Sequence, residues 1–176
     1  MKKTTILLAL LIGLYSCQNE KRYTQQSAEI ETVKQHIKNY NAKTYDISLM
    51  AENSVSFFNT KTDSIARKDL IAYHEANDAN YSSRGFLDAD QEFEMVVTDD
   101  GNTWVNAWLD WSGKVKGSDK TIVMPVHLTY KFEDGKITRE LGYWNPTEIL
   151  DEVEAVAAMR AAASESSDNE TEMDQE

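Results

Sequence analysis

Cysteine occurs once in 176 residues, at position 17, histidine three times, and glycine seven times. A single cysteine, placed in an apolar leader, leaves the folded part without disulfides, thiolate metal sites or cysteine nucleophiles. The three histidines, His36, His74 and His127, are scattered over separate elements without a His-Glu pair at ligand spacing, which argues against a metal site. The glycines fall mostly at turns and form no glycine-rich phosphate loop, so no cofactor motif is present. Basic residues are scarce as well, with 18 Lys+Arg against 30 Asp+Glu and a net charge of -12. Phosphate backbones need a basic face, so nucleic acid is excluded as a partner. No apolar run reaches the ~20 residues of a membrane-spanning helix.

The acidity is uneven. From Glu148 to Glu176 there are 10 acidic residues and one basic, Arg160, so this stretch carries -9 of the -12. Removing both ends leaves the usual length of one domain with one apolar core. Met1-Lys2-Lys3 is a short basic segment and Ile6 to Tyr15 an almost uninterrupted apolar run, the order of a secretory signal peptide. The run ends in Leu14-Tyr15-Ser16-Cys17, which resembles a bacterial lipobox. That resemblance implies a signal peptide over 1–16, a lipid on Cys17 and a polar tether over 17–27. The expected location is the cell envelope, held to a membrane through Cys17. Gln18 stands where many inner-membrane lipoproteins carry Asp, which favours the outer membrane.

From Ser27 the period is helical. Ile30, Val33, Ile37 and Tyr40 recur at three and four residues, and Ser27 is a fair N-cap, which predicts a helix over about 28–44. A short helix over 47–51 follows Asp46, then a strand at Val55–Phe58. A helix from Asp69 to about Tyr81 puts Leu70, His74, Asn77 and Tyr81 on one face. Long alternating strands follow over 87–97, 103–113, 122–132 and 137–143, with hairpin turns at Asp100-Gly101 and Asp134-Gly135. Pro146 opens a last helix through Ile149, Leu150, Val153 and Val156. From Ala161 the apolar period stops, so 161–176 is expected to be an acidic, disordered tail. Helices first and hairpin-linked strands after predict an α+β domain over 28–160, with helices on one face of a curved antiparallel sheet.

Four phrases carry a family resemblance. They are Tyr45-Asp46 ahead of Leu49-Met50-Ala51-Glu52-Asn53, Ala66 to Tyr73, Phe132 to Ile137, and Gly142-Tyr143-Trp144-Asn145-Pro146-Thr147-Glu148-Ile149-Leu150. In this order and spacing, across about 29–155, the chain resembles the nuclear transport factor 2-like superfamily, especially its SnoaL-like branch. The resemblance implies a cone-shaped sheet of the cystatin-like kind, with helices packed on its concave face. It further implies a cavity for a small apolar or amphipathic molecule and often a homodimer. Relatives include isomerases, dehydratases, cyclases and non-catalytic binders, so the fold does not choose among them.

Aligned on these phrases, Phe58 falls where isomerase-like members carry a proton-abstracting carboxylate, and Asn145 where many carry Asp; neither can do that work. The family's acid donor on the strand after Pro125 falls on His127, or on Leu128 if a bulge intervenes. Alternation puts His127 on the less apolar face. The aromatic residues expected to line a cavity are Tyr40, Phe57, Phe58, Trp104, Trp108, Tyr130, Tyr143 and Trp144; Arg139, sharing the parity of Ile137 and Leu141, is either an inward cation or a side chain that reaches the rim. Core packing accounts for such rings equally well. His74 and Asp110 are the best acid–base candidates, with Tyr40 or Tyr130 as donor, and Asp110 would share a strand face with Trp104 and Trp108. His36 reads as a surface or boundary residue. The favoured expectation is a non-catalytic binder of a small ligand or a protein partner. The alternative is an isomerase, dehydratase or cyclase using His74 or Asp110.

Overall fold

The computed structural model describes residues 22–173, with side chains to 164. The expected signal peptide, Cys17 and Gln18 lie outside the described residues. In chain order the elements are β1 (Tyr23–Thr24), α1 (Ala28–Asn41), a single 3-10 turn (Ile47–Leu49), β2 (Met50–Phe58), β3 (Ile65–Ala66), α2 (Arg67–Asp78), β4 (Tyr81–Phe86), β5 (Glu92–Val97), β6 (Thr103–Val115), β7 (Ile122–Glu133), β8 (Lys136–Trp144) and α3 (Thr147–Met173).

The helices start where their caps place them. Ser27 Oγ accepts a hydrogen bond from the Ile30 amide at 3.2 Å, and Ile30, Val33 and Ile37 are buried along one stripe of α1. That helix ends at Asn41, three residues before its expected end, because Lys43 and Tyr45 take left-handed backbone (φ 57° and 43°) and turn the chain away. Asn145 Oδ1 accepts from the Thr147 amide at 3.1 Å and its hydroxyl at 2.7 Å, and the Pro146 carbonyl accepts the first helical bond of α3. Proline thus stands just ahead of the helix. Helix α3 continues to Met173, well past Ala161, where irregular chain was expected. The apolar period reports packing, not helicity, and Ala161-Ala162-Ala163 extends the helix on propensity alone.

The eight strands form one sheet in the order β1-β5-β6-β7-β8-β2-β3, with β4 pairing the second half of β6 on the edge whose first half pairs β5. The sheet is mixed. Strands β2 and β8 run parallel, and the other pairs are antiparallel. The wholly antiparallel expectation is corrected at this pair, since α2 and the following strands intervene between β2 and β8. Tyr23 and Thr24, expected in the free tether, pair with Val96 and Met95, and Arg22 Nε donates to the Val97 carbonyl at 3.2 Å. Residues 81–86, expected in a helix end and a loop, form β4. The inner sheet face carries Val105, Ala107, Leu109 and Trp111 from β6 and Val126, Leu128, Tyr130 and Phe132 from β7, all buried. Helices α1 and α2 close over it, and the space left between helices and sheet is the cavity below.

Candidate functional site: an aromatic cavity over a buried carboxylate

One irregularity decides which side chains reach the cavity. In the β7/β8 ladder Lys131 opposes Arg139 and Phe132 opposes Ile137, so Thr138 is an extra residue on β8. A bulge of one residue reverses the alternation beyond it. Ile137 and Glu140 both face inward, at 0% and 4% exposure, and Arg139 faces outward with its guanidinium 4.7 Å from the Phe57 ring centroid. The inward cation expected at 139 is therefore replaced by an inward carboxylate at 140.

Glu140 lies beside Ser56 of β2, whose register partner it is, and accepts a hydrogen bond from its Oγ at 2.8 Å. His36 of α1 approaches from the helix side, with Nε2 at 3.6 Å from Glu140 Oε1, an ion-pair separation longer than a hydrogen bond. Burial alone would raise the Glu140 carboxyl, but His36 and Ser56 outweigh it and hold the pKa below the usual carboxylate range. The His36 ring meets Tyr130 edge-on at 5.9 Å. Among the described residues neither the Tyr130 hydroxyl nor His36 Nδ1 has a hydrogen-bond partner, although both are buried. Burial, and then the Glu140 charge, push the Tyr130 phenol well up, so it stays a donor.

These groups form the polar end of a part-open cavity of about 130 Å³, whose other walls include His74, Tyr40, Phe58, Met124 and Trp144. That volume resembles the ~150 Å³ cavities that admit a single benzene ring, and falls below the ~300 Å³ of drug-sized pockets. Two close approaches shape it. A Cβ on Gly142 would stand 2.9 Å from carbons of both Phe58 and Trp144, and one on Gly113 would strike the Trp111 indole at 2.0 Å. Glycine at 113 lets that indole lie flat and donate from Nε1 to the Tyr40 hydroxyl at 3.0 Å. Burial pushes the Tyr40 phenol up, against the lowering effect of Arg84.

His74 stacks on Tyr45 at 4.9 Å and meets Tyr40 at 5.4 Å. Desolvation lowers its pKa to about 4, so it is a neutral imidazole near pH 7. Behind it, Arg84 fixes the junction of α1, α2 and β4. Its guanidinium lies 3.9 Å from the Tyr40 ring centroid, donates to Asp78 at 2.5 Å and to the Tyr40 carbonyl at 2.6 Å, and donates to the Tyr45 hydroxyl, which in turn donates to Asp78.

Of the residues expected at a site, His74, Tyr40, Phe58, Tyr130 and Trp144 line this cavity. Phe57, Trp104, Trp108, Asp110, Arg139 and Tyr143 do not. Trp104, Trp108 and Asp110 share the outer parity of β6, opposite Lys131, His127 and Pro125, with Trp108 42% exposed, so Asp110 cannot partner His74. Tyr143, 40% exposed, shares that outer face and stacks with His127 at 6.5 Å. At the donor position, β7 alternates without interruption from Ile122, so Leu128 faces the cavity and His127 the outer face. Asn145 is exposed and used as a helix cap. His36, expected at the surface, and Glu140, Tyr73 and Trp111 line the cavity without having been marked as site residues. The signal available for Trp111 was the aliphatic run Val105, Ala107 and Leu109 on its parity, which identifies the inner face. Among the described residues no group of three metal-ligating side chains converges, and no helix is long and apolar enough to cross a membrane.

Neither a family model nor a curated protein matches the sequence. Solved structures do match. A candidate polyketide cyclase from Xanthomonas campestris pv. campestris superposes with TM-score 0.60 at 19% identity, over 74% of this chain and 99% of that one. A candidate SnoaL-like polyketide cyclase from Jannaschia sp. CCS1 gives 0.58 at 15%, over 78% and 99%. A protein from Catenulispora acidiphila DSM 44928 with a ketosteroid isomerase-like fold, in complex with trimethylamine, gives 0.52 at 14%, over 65% and 85%. At such identities the likeness shows the fold alone, the α+β cone that these structures share.

Proposed function

We propose that this chain is a lipid-anchored envelope protein whose SnoaL-like domain binds a compact amphipathic molecule no larger than a single ring with short substituents. The observation that carries the binding reading is the pairing of a part-open aromatic cavity with buried polar atoms that lack a protein partner, the Tyr130 hydroxyl and His36 Nδ1. Buried polar groups are ordinarily satisfied, and a ligand's polar end would satisfy these two. Thermal unfolding with one-ring and larger amphipathic compounds tests it. One-ring compounds should raise the melting temperature with concentration, and Leu128→Phe, which fills the cavity, should abolish the effect. Stabilisation that persists in Leu128→Phe would place binding elsewhere.

The anchoring reading rests on Leu14-Tyr15-Ser16-Cys17. Intact mass of membrane-extracted protein should show acyl chains on Cys17, and Cys17→Ser should release the protein from the membrane fraction. An unmodified Cys17 would refute it.

A second reading is favoured by the neutral imidazole of His74 and the buried carboxylate of Glu140 on walls of one cavity. It is a proton-transfer enzyme of the isomerase, dehydratase or cyclase kind, with Glu140 or His74 as base and Tyr130 or Tyr40 as donor. The neighbours described as cyclases are compatible with it, as the trimethylamine complex is with simple binding. Exchange of the α-hydrogens of small ketones in D2O, absent in Glu140→Gln and His74→Gln, would support it. Exchange rates equal to those in buffer would dismiss it for these substrates.

A further inference from the structure

The cavity has a charge character that its shape alone does not reveal. Eight aromatic rings line it, among them Tyr40, Phe58, Tyr73, Tyr130 and Trp144, and Glu140 is its one acidic residue, with no Lys or Arg in the lining. Ring faces are the negative ends of aromatic quadrupoles, so such walls attract cations and repel anions.

Glu140 is also short of partners. Two carboxylate oxygens offer about four acceptor sites, and in a group only 4% exposed the Ser56 hydroxyl fills one of them. His36 stands beyond hydrogen-bond reach, at 3.6 Å. A buried carboxylate is stable only with a counter-charge and further donors. The other candidates for that counter-charge are committed elsewhere. Arg84 lies behind the Tyr40 ring and is paired with Asp78, and Arg139 points out of the sheet over Phe57. His74, neutral near pH 7, adds no positive charge to the wall.

We infer that the occupant of this cavity is a compact organic cation, an ammonium group bearing methyl or other short alkyl substituents, with the Glu140 carboxylate as counter-charge and the faces of the surrounding rings as its cage. The volume of about 130 Å³ suits a head of this kind and little more. The ammonium adds a permanent positive charge on the cavity side of Glu140, whose nearest basic group is the His36 imidazole at 3.6 Å, and its alkyl groups cover the rings at Phe58 and Trp144. A hydroxyl or carbonyl on a short arm would reach Tyr130.

This inference rests on the cavity being a small-molecule site, and the test separates the two. Tetramethylammonium and its neutral counterpart of similar size, tert-butanol, are titrated into the purified protein at pH 7.5 and followed by calorimetry and tryptophan fluorescence. The cation is expected to bind at least 10-fold more tightly than the alcohol. Glu140→Gln should lower the cation's affinity at least 10-fold and the alcohol's by much less. Phe58→Leu should weaken the cation several-fold, and supplies a second readout should Glu140→Gln not fold, as checked by near-ultraviolet circular dichroism. Equal or tighter binding of the alcohol would overturn the cation and leave the small-molecule site standing. Absence of binding by both, together with no thermal shift from the one-ring compounds, would overturn both.

Discussion

Replacing His74 with phenylalanine is expected to abolish most of the loss of stability that the wild-type domain suffers between pH 6.5, the ordinary histidine value, and about pH 4. The imidazole is buried against Tyr45, Tyr40 and Phe58, and desolvation disfavours its charged form. Once unfolded it titrates near 6.5. Below that pH the unfolded chain takes up a proton that the folded chain refuses, so the stabilising contribution of the neutral ring is complete above about 6.5. It shrinks until the folded ring itself titrates, near pH 4. At about 1.36 kcal/mol per pH unit the interval is worth about 3 kcal/mol. Glu140 and Asp78 are held low in the folded state, so their contributions begin to fall away near their unfolded values, 4.5 and 3.8, at the acid end of this window, and both are present in the variant. The phenyl ring preserves the stack on Tyr45 and removes the titration. Urea unfolding followed by tryptophan fluorescence at pH 7.5, 6, 5 and 4 would measure the difference. Wild type and His74→Phe losing stability in parallel, within about 0.5 kcal/mol across the series, would refute the assignment of a desolvated, neutral His74.

Three further outcomes test other parts of the structure. Gly142→Ala places a methyl 2.9 Å from carbons of Phe58 and Trp144, and the displaced rings should cost about 1–3 kcal/mol in urea unfolding while narrowing the cavity. Arg84→Met leaves the Asp78 carboxylate with only the Tyr45 hydroxyl as donor and Lys43 at 3.8 Å as cation, in a site where the arginine side chain is 1% exposed, and should cost about 3 kcal/mol by the same measurement. Asp110→Ala, on the outer face of β6, should change stability by no more than about 0.5 kcal/mol and leave ligand binding unaltered in the calorimetric titration.

Much of the fold could be read from residue order. The hairpin turns at Gly101 and Gly135 take the left-handed backbone their sequences call for (φ 78° and 71°), and the β5-to-β8 ladder follows from them. The face of α2 carrying Leu70, His74 and Asn77 was equally clear, because helical spacing is uninterrupted there. Failures have local causes. Tyr81 continues the helical spacing, so its ring was expected in the right place while its backbone was not. On β6 both parities carry tryptophan, and the aromatic count drew attention to Trp104 and Trp108, whereas the aliphatic neighbours of Trp111 mark the buried side. On β8 strict alternation from the Asp134-Gly135 turn puts Arg139 inward, and no residue type at Thr138 announces the extra step. The site was therefore half legible: the rings that follow regular spacing were found, and the carboxylate that depends on a backbone irregularity was not.

That extra residue has a consequence for how such a cavity acquires its preferences. Were Thr138 to take an ordinary place in the ladder opposite Lys131, the pairing beyond it would slip by one residue: the Arg139 guanidinium would enter the ring-lined chamber and Glu140 would face solvent. The sign of the charge offered to a guest is thus carried by the pairing register, through the way one extra residue is accommodated. Deleting Thr138 would close the bulge and leave Ile137 and Glu140 inward, so a strand shortened at this point is expected to keep its carboxylate in the chamber.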